Sequence, residues 1–287
     1  MATGNRRGRS DTRAGGEPDH KSDRLAKAAQ KVEHASAELR KKADQLDALT
    51  ERLANFDIWT RPEPGSRKPR FSRDDIAAAA LRIADTEGFD ALSMRRLAAE
   101  LDAGTMTLYH YVKTKDELLS LVGDAVMGEL LIPAGELPAD WRAALTMIAH
   151  RSRDVLRRHP WSLDLRDDPA PGPNGVRHFE QTLQAVRSLG LAFAEKFELV
   201  TAVDEYVFGF CLLERSNVGV DQSNDPNIDH VTGLLDSGEF PALGAVAAEH
   251  GVAGTFDILR DQIADPQRFS RNLARLLDGF EAGMRTR

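Results

Sequence analysis

The chain has 287 residues, of which 41% are hydrophobic and one is cysteine, and its formal net charge is −7. That length holds one large or two modest domains with a sizeable core, and a single cysteine excludes an internal disulfide or a cysteine-rich zinc site. No apolar run reaches membrane-spanning length and no signal-peptide segment opens the sequence, so a cytoplasmic protein without membrane contact is expected.

The charge is unevenly spread. Residues 1–70 hold 16 Lys+Arg against 11 Asp+Glu, and the remainder holds 22 against 34. Exposed charges are screened beyond roughly 8–10 Å at cellular salt, so the acidic balance behind residue 70 does not exclude a nucleic-acid partner ahead of it.

Residues 1–20 lack apolar periodicity and are rich in Gly and Arg, which predicts a disordered basic tail. Over residues 21–56 Pro and Gly disappear, and Leu25, Val32, Leu39, Leu46 and Leu53 recur every seventh residue. A seven-residue repeat keeps one seam towards a partner helix and predicts a coiled-coil-like helix. Ala28, Ala35 and Lys42 weaken the companion seam, so self-pairing, packing back onto the body and recruitment of another protein all stay open. Residues 57–70 carry three prolines and read as an extended linker or arm, in which Arg67, Lys68 and Arg70 are candidate DNA contacts.

Residues 71–118 read as a helix-turn-helix domain. Ser72 with Asp75 forms a capping box, and Ile76, Ala80 and Ile83 follow on one face up to Gly88. Ser93 caps a second helix with Leu97, Ala98 and Leu101 inward, and Arg95 and Arg96 near its start are candidate backbone anchors. After the turn Asp102–Gly104, Thr105–Tyr111 form a third, short helix whose Leu108 and, one turn on, Val112 point to the core. Thr105, Thr107, Tyr109, His110 and Tyr111 are left for other faces, with Lys113 and Lys115 just beyond. Hydroxyls reach phosphates and base edges, and lysines neutralise phosphate. Thr114 with Glu117 reads as a second capping box opening a fourth helix, and helix, Gly-containing turn and second helix are the parts of a helix-turn-helix.

The run ALSMRRLAAEL, a three-residue turn and TMTLYHYVKTKDELL resemble the DNA-binding domain of TetR-family transcriptional repressors. The likeness is close over about residues 70–130 and looser from Asp140 to Glu214, where it resembles the tetracycline-responsive branch. It implies an all-α protein, with a helix-turn-helix head and a helical ligand-binding and dimerisation body over residues 119–287. It also implies a double-stranded operator, a small-molecule effector, and a homodimer through helices near residues 194–214 and 265–284. Phe197, Val200, Val203, Val207 and Phe210 exceed what one buried face needs, which agrees with pairing. For the implied ligand site the candidates are Trp161, Asp164, His178, Phe179, Leu183, Phe193, Asp204, Glu205, Phe208 and Cys211. Where the tetracycline-responsive relatives hold magnesium with a histidine this chain has Asp164, so no metal or cofactor is expected.

The body reads as helical throughout. Helices are expected to Pro133, over Pro138–Arg158, Val176–Leu189, Ala194–Glu214, around Ala242–His250, and over Asp265–Met284 with Asp265 as cap. Residues 216–237 read as a polar connection. There is no Walker loop, GxSxG, HExxH or CxxC, and the eight histidines are scattered, so no catalytic residue is expected. A sequence-specific regulator, released from a palindromic operator by its effector, fits best. The alternative is a DNA-bound interaction protein that recruits a partner or second dimer through residues 21–56, without ligand control.

Overall fold

The computed structural model describes residues 38, 40–42, 58–64, 71–165, 171–216 and 227–285, and all secondary structure among them is helical. The chain divides into two compact units, Met1–Leu53 and Ala54–Arg287. Of the first, Glu38, Arg40, Lys41 and Lys42 are described, as exposed helical residues. The basic tail, the rest of the seven-residue repeat, and Arg67, Lys68 and Arg70 lie outside the described residues.

Helix α1 (Arg73–Glu87) opens on the expected capping box, with Ser72 Oγ accepting from the Asp75 N–H and Asp75 accepting from the Ser72 N–H. It buries Ile76, Ala80 and Ile83 and ends at Gly88, whose φ of +90° suits glycine. Ser93 caps α2 (Met94–Glu100), and α3 (Thr105–Tyr109) ends two residues before the expected Tyr111. Helix α4 (Lys115–Leu130) shows half of its expected box. Thr114 Oγ1 accepts from the Glu117 N–H, but the Glu117 carboxylate turns back to the N–H of Lys113 at 2.7 Å.

The body follows with α5 (Trp141–Arg158), a 3₁₀ turn over Pro160–Asp164, α6 (Pro173–Ala185) and α7 (Phe193–Ser216). Then come α8 (Asn227–Asp236), α9 (Pro241–His250), α10 (Val252–Ala264) and α11 (Arg268–Arg285). Two expectations fail here. Residues 227–236 are helix rather than connection, and α10 was not anticipated. Asp265 accepts from the Gln267 N–H at 2.8 Å, one turn ahead of α11 rather than at its cap.

Two cores result. The first joins Ile76, Ile83, Leu97, Leu108, Leu118 and Val122 of the head. The second joins Ile148, Val186, Leu199, Val203, Phe269 and Leu273 of the body. Helix α4 fills the first, and Ile132 just past its end lies in the second. The 3₁₀ turn divides likewise, with Trp161 in the head core and Leu163 in the body core.

The expectation of an extended linker over residues 57–70 fails at its start. Ile58, Trp59 and Thr60 are helical, and Ile58 is fully buried in the head core.

Candidate nucleic-acid interface

Helix α3 is held from behind. Leu108 is fully buried at its centre, and Tyr111 and Val112 are buried just after it. Opposite them stand Met106, 72% exposed, and Tyr109, 44% exposed. His110, Lys113 and Lys115 are exposed, and Thr105 and Thr107 are half-buried at the flanks. The face therefore offers an apolar tip, a phenol and an imidazole on a short helix, with two ammonium groups at its far end. Such a face can read base edges and grip phosphate.

Two expected contacts are placed otherwise. Tyr111 packs its ring into the head core at 5% exposure, because it falls three residues after Leu108 on the same inward stripe. Arg96 is committed within the head. Its Nε donates to Glu87 at 2.9 Å and its Nη2 to Glu100 at 2.9 Å, and the bond to Glu87 holds that carboxyl below its usual range. Arg95 is exposed. Met106 is not among the expected contacts, although helical spacing sets it opposite Leu108.

The loop from α3 to α4 is pinned by Arg61. Its guanidinium donates to Glu117 Oε1 at 2.9 Å and Oε2 at 2.7 Å, and to the Tyr111 carbonyl at 3.2 Å. Burial alone would raise the Glu117 pKa, but the bonds from Arg61 and the Lys113 N–H outweigh it and hold the carboxyl below its ordinary value.

Head and body meet at two polar joints. Asp85 of α1 accepts from the Trp161 indole N–H at 2.8 Å and lies 2.8 Å from His159 Nδ1, while Glu129 of α4 accepts from Arg158 at 2.6 Å. At the second joint Asp124 of α4 accepts from the N–H groups of Asn174 and Gly175, both at 2.9 Å, and so caps α6 from outside. Burial raises the Asp124 pKa, against the opposing effect of those two bonds. A Cβ at Gly172 would stand 2.4 Å from the Asp124 carboxylate and 2.6 Å from Trp59 Cζ2, so only glycine fits there.

The expected ligand residues are not gathered in one place. Trp161 belongs to the head core, stacked on Phe89 with centroids 5.6 Å apart. Asp164 is paired with Arg215 by two bonds of 2.9 Å. Cys211 is buried in the body core, which pushes its thiol up to about 11. Phe208 packs half-buried against that core, and Glu205 is exposed.

Two of them, Phe179 and Phe193, do meet around Phe197, between α6 and α7. Phe179 meets Phe197 edge-on at 6.2 Å, Phe193 stacks on Phe197 at 6.3 Å, and Leu183 is half-buried on α6. Asp204, on α7, opens to solvent on one side, yet the protein atoms crowded around it, and then Glu205, push its carboxyl up to about 6. His178 is buried on the inner stripe of α6 with Thr182. Burial lowers its pKa, keeping the ring neutral, and its Nδ1 has no hydrogen-bond partner. A separate open cleft of about 410 Å³ lies between the start of α7 and the end of α11, lined by Leu191, Glu198, Leu276, Phe280 and Met284 among others. It contains none of the expected ligand residues.

Residues 76–122 match the profile of bacterial regulatory proteins, tetR family, and residues 134–284 match the tetracyclin repressor-like C-terminal domain. The chain is 36% identical over 232 residues to the HTH-type transcriptional repressor DrrR1 of Streptomyces coeruleorubidus, covering 79% of this chain and 83% of that one. The class E tetracycline repressor protein of Escherichia coli is 26% identical over 58% of this chain and 78% of its own. Among solved structures, the TetR family protein ActR of Streptomyces coelicolor in complex with actinorhodin matches with a TM-score of 0.58 and 31% identity. The match covers 75% of this chain and 98% of that one.

Proposed function

The chain belongs to the TetR family of DNA-binding transcriptional regulators, which are not enzymes, and from that membership we propose a homodimeric repressor that a small molecule releases from its operator. The observation that carries this reading is the outward set Met106 and Tyr109 on α3 and His110 at its cap, with Lys113 and Lys115 beyond, on a head whose core grips Leu108 from behind.

In this reading α3 lies in the major groove. Met106, Thr105, Thr107, Tyr109 and His110 face bases or the nearest phosphates, Lys113 and Lys115 take the flanking phosphates, and Arg95 touches the backbone from α2. A two-fold dimer presents two such helices to the half-sites of a palindrome. Leu213, exposed on α7, and the cleft beside α11 support pairing through these helices. Such a protein works where the chromosome is, which supports a cytoplasmic place.

Effector entry is proposed beside Phe179, Phe193 and Phe197, where α6 and α7 present aromatic surface. A ligand that displaces α6 pulls on Asp124 and hence on α4, and α4 carries the head. For release, the ligand must bind the DNA-incompetent arrangement more tightly than the competent one.

The test selects genomic fragments on the full-length protein at stated salt, beside Tyr109→Ala. A palindrome enriched by the parent and lost by the variant supports the reading, and equal enrichment by both removes α3 as the reading helix. The chain without residues 1–53 is run in parallel. If it keeps operator affinity but loses a higher assembly, the coiled-coil-like helix recruits a partner or second dimer.

A further inference from the structure

The residues just ahead of the helix-turn-helix do more than join it to the extension. Ile58 has no exposed surface and shares the head core with Ile76, Leu108 and Val112. Arg73, buried on α1, donates to the carbonyls of Ile58 and Arg61, so the short helical turn ends on a built-in cation. Trp59 packs against the head core and against Gly172, next to Asp124. The matched head region begins at residue 76, so Ile58–Arg61 lie outside what it describes.

Arg61 is the outer end of this segment. Its two-pronged bond to Glu117 fixes the first turn of α4, and its third bond fixes the carbonyl of Tyr111, two residues past α3. Glu117 in turn receives the Lys113 N–H at 2.7 Å. The whole connection from α3 to α4 is therefore clamped by one side chain from outside the helix-turn-helix. The two side chains are 16% and 4% exposed. A pair so far from water recovers little net stability, because desolvation offsets the attraction, but its fork fixes one geometry.

We propose that Ile58–Arg61 is a strut of the DNA-reading head, in which Arg61 is a positioning residue that sets the angle of α3 through Glu117 and the Tyr111 carbonyl. The inference rests on the reading of α3 as the DNA helix. A helix of five residues with one fully buried anchor, Leu108, can rock about that point. The clamp removes this freedom at the end where Tyr109, His110 and Lys113 must meet DNA together. Because Trp59 abuts Gly172, the same strut touches the joint between α4 and α6.

Arg61→Ala would strand the buried Glu117 charge and risk unfolding, so it is a poor probe. The informative variants of the full chain are Arg61→Lys, which keeps the charge and loses the fork, and the double variant Arg61→Gln/Glu117→Gln, which removes both charges together. Each is measured for thermal midpoint, for affinity to the selected operator and for affinity to unrelated DNA of the same length. The strut predicts that the double variant melts close to the parent, binds unrelated DNA equally well and loses about tenfold in operator affinity, with Arg61→Lys in between. Parent-like operator affinity in the double variant overturns the proposal, as does a parallel fall on both DNAs. Tyr109→Ala, run beside them, separates the two ideas. If it too leaves operator affinity unchanged, the reading of α3 itself has failed, whereas loss there with no effect of the Arg61 variants rejects the strut alone.

Discussion

The indole N–H of Trp161 donates to Asp85 Oδ1 at 2.8 Å, which fastens the turn after α5 to the first helix of the head. The same oxygen faces His159 Nδ1, and Phe89 stacks on the indole, so one carboxylate of α1 organises the joint. Trp161→Phe keeps the stacking and removes the donor. Loss of one part-buried bond to a charged acceptor costs about 1.5–3 kcal/mol. Chemical denaturation reads this as a lower midpoint with unchanged slope, and operator affinity at saturating folded protein should change less than twofold. A larger fall in operator affinity would show that this joint tunes the head rather than merely holding it.

Gly172 is the second point where the joint tolerates no added atom. Gly172→Ala puts a methyl into Asp124 and Trp59 together. Neither neighbour can swing away freely, since Asp124 holds two N–H groups of α6 and Trp59 packs on the head core. Overpacking of this kind costs about 1–3 kcal/mol. The expected outcome is a lower unfolding midpoint and, at temperatures where the protein stays folded, an altered operator affinity. Normal values for both would mean that the joint relaxes at no cost.

Asp204 gives the protein a pH signature. Its carboxyl, ordinarily at 3.8, stands at about 6 in the fold, so between those values the native chain holds a proton that the unfolded chain has released. The native state therefore carries a penalty above about pH 6 that lifts as pH falls towards about 4. Asp204→Asn should raise stability near pH 7.5 by about 1 kcal/mol, after discounting for the solvent on its open side, and by only a small fraction of that near pH 4. Thermal melts of both proteins across this range check it. An equal gain at both ends would assign the effect to something other than this titration.

Lys115 and Arg96 are both cationic and close to α3, but one is exposed and the other is bound to Glu87 and Glu100. Each phosphate contact contributes roughly 0.9 to the slope of log affinity against log salt. Lys115→Ala should lower that slope by about 2 per dimer, one contact from each subunit. Arg96→Ala should leave it unchanged while lowering the melting midpoint slightly. Titration of operator binding over a salt series settles which side chain meets phosphate.

Met106 stands apart as an apolar group facing water at the tip of α3. Contact with a thymine methyl would give it a reason to be there. Met106→Ala should relax the preference at one base pair of each half-site by about 1 kcal/mol, roughly fivefold, without changing affinity for unrelated DNA. A selection repeated with this variant reads the change directly.

Much of the head was legible in the sequence because its signals are local. Ser72, Ser93 and Thr114 cap their helices where the side chains can bond within three residues, and Gly88 ends α1. Contacts across the fold were not legible. Nothing near Glu117 shows that its carboxylate will leave its own helix end for Arg61, 56 residues earlier. Nothing near Trp161 shows that an aromatic from the body will fill the head core. Tyr111 was misread because a tyrosine can half-bury anywhere, and only the packing of Leu108 and Val112 settles which way it turns. Helix α10 lies outside the expected elements, although Val252, Phe256, Leu259 and Ile263 have helical spacing. Helix α8 lies in a stretch whose sequence reads as a polar connection, and it buries no residue deeply.

Helix α4 threads one core and leads directly into the other, and the turn carrying Trp161 and Leu163 crosses between them a second time. Two modules that share a beam and a rivet cannot melt one at a time. Heating should give a single calorimetric transition, with head and body lost together. A cavity cut deep in the body, for instance at Leu199, then lowers the population of competent heads as surely as damage to α3 does. Loss of repression in a mutant collection should accordingly map to both cores, and most such positions will lie far from any base pair.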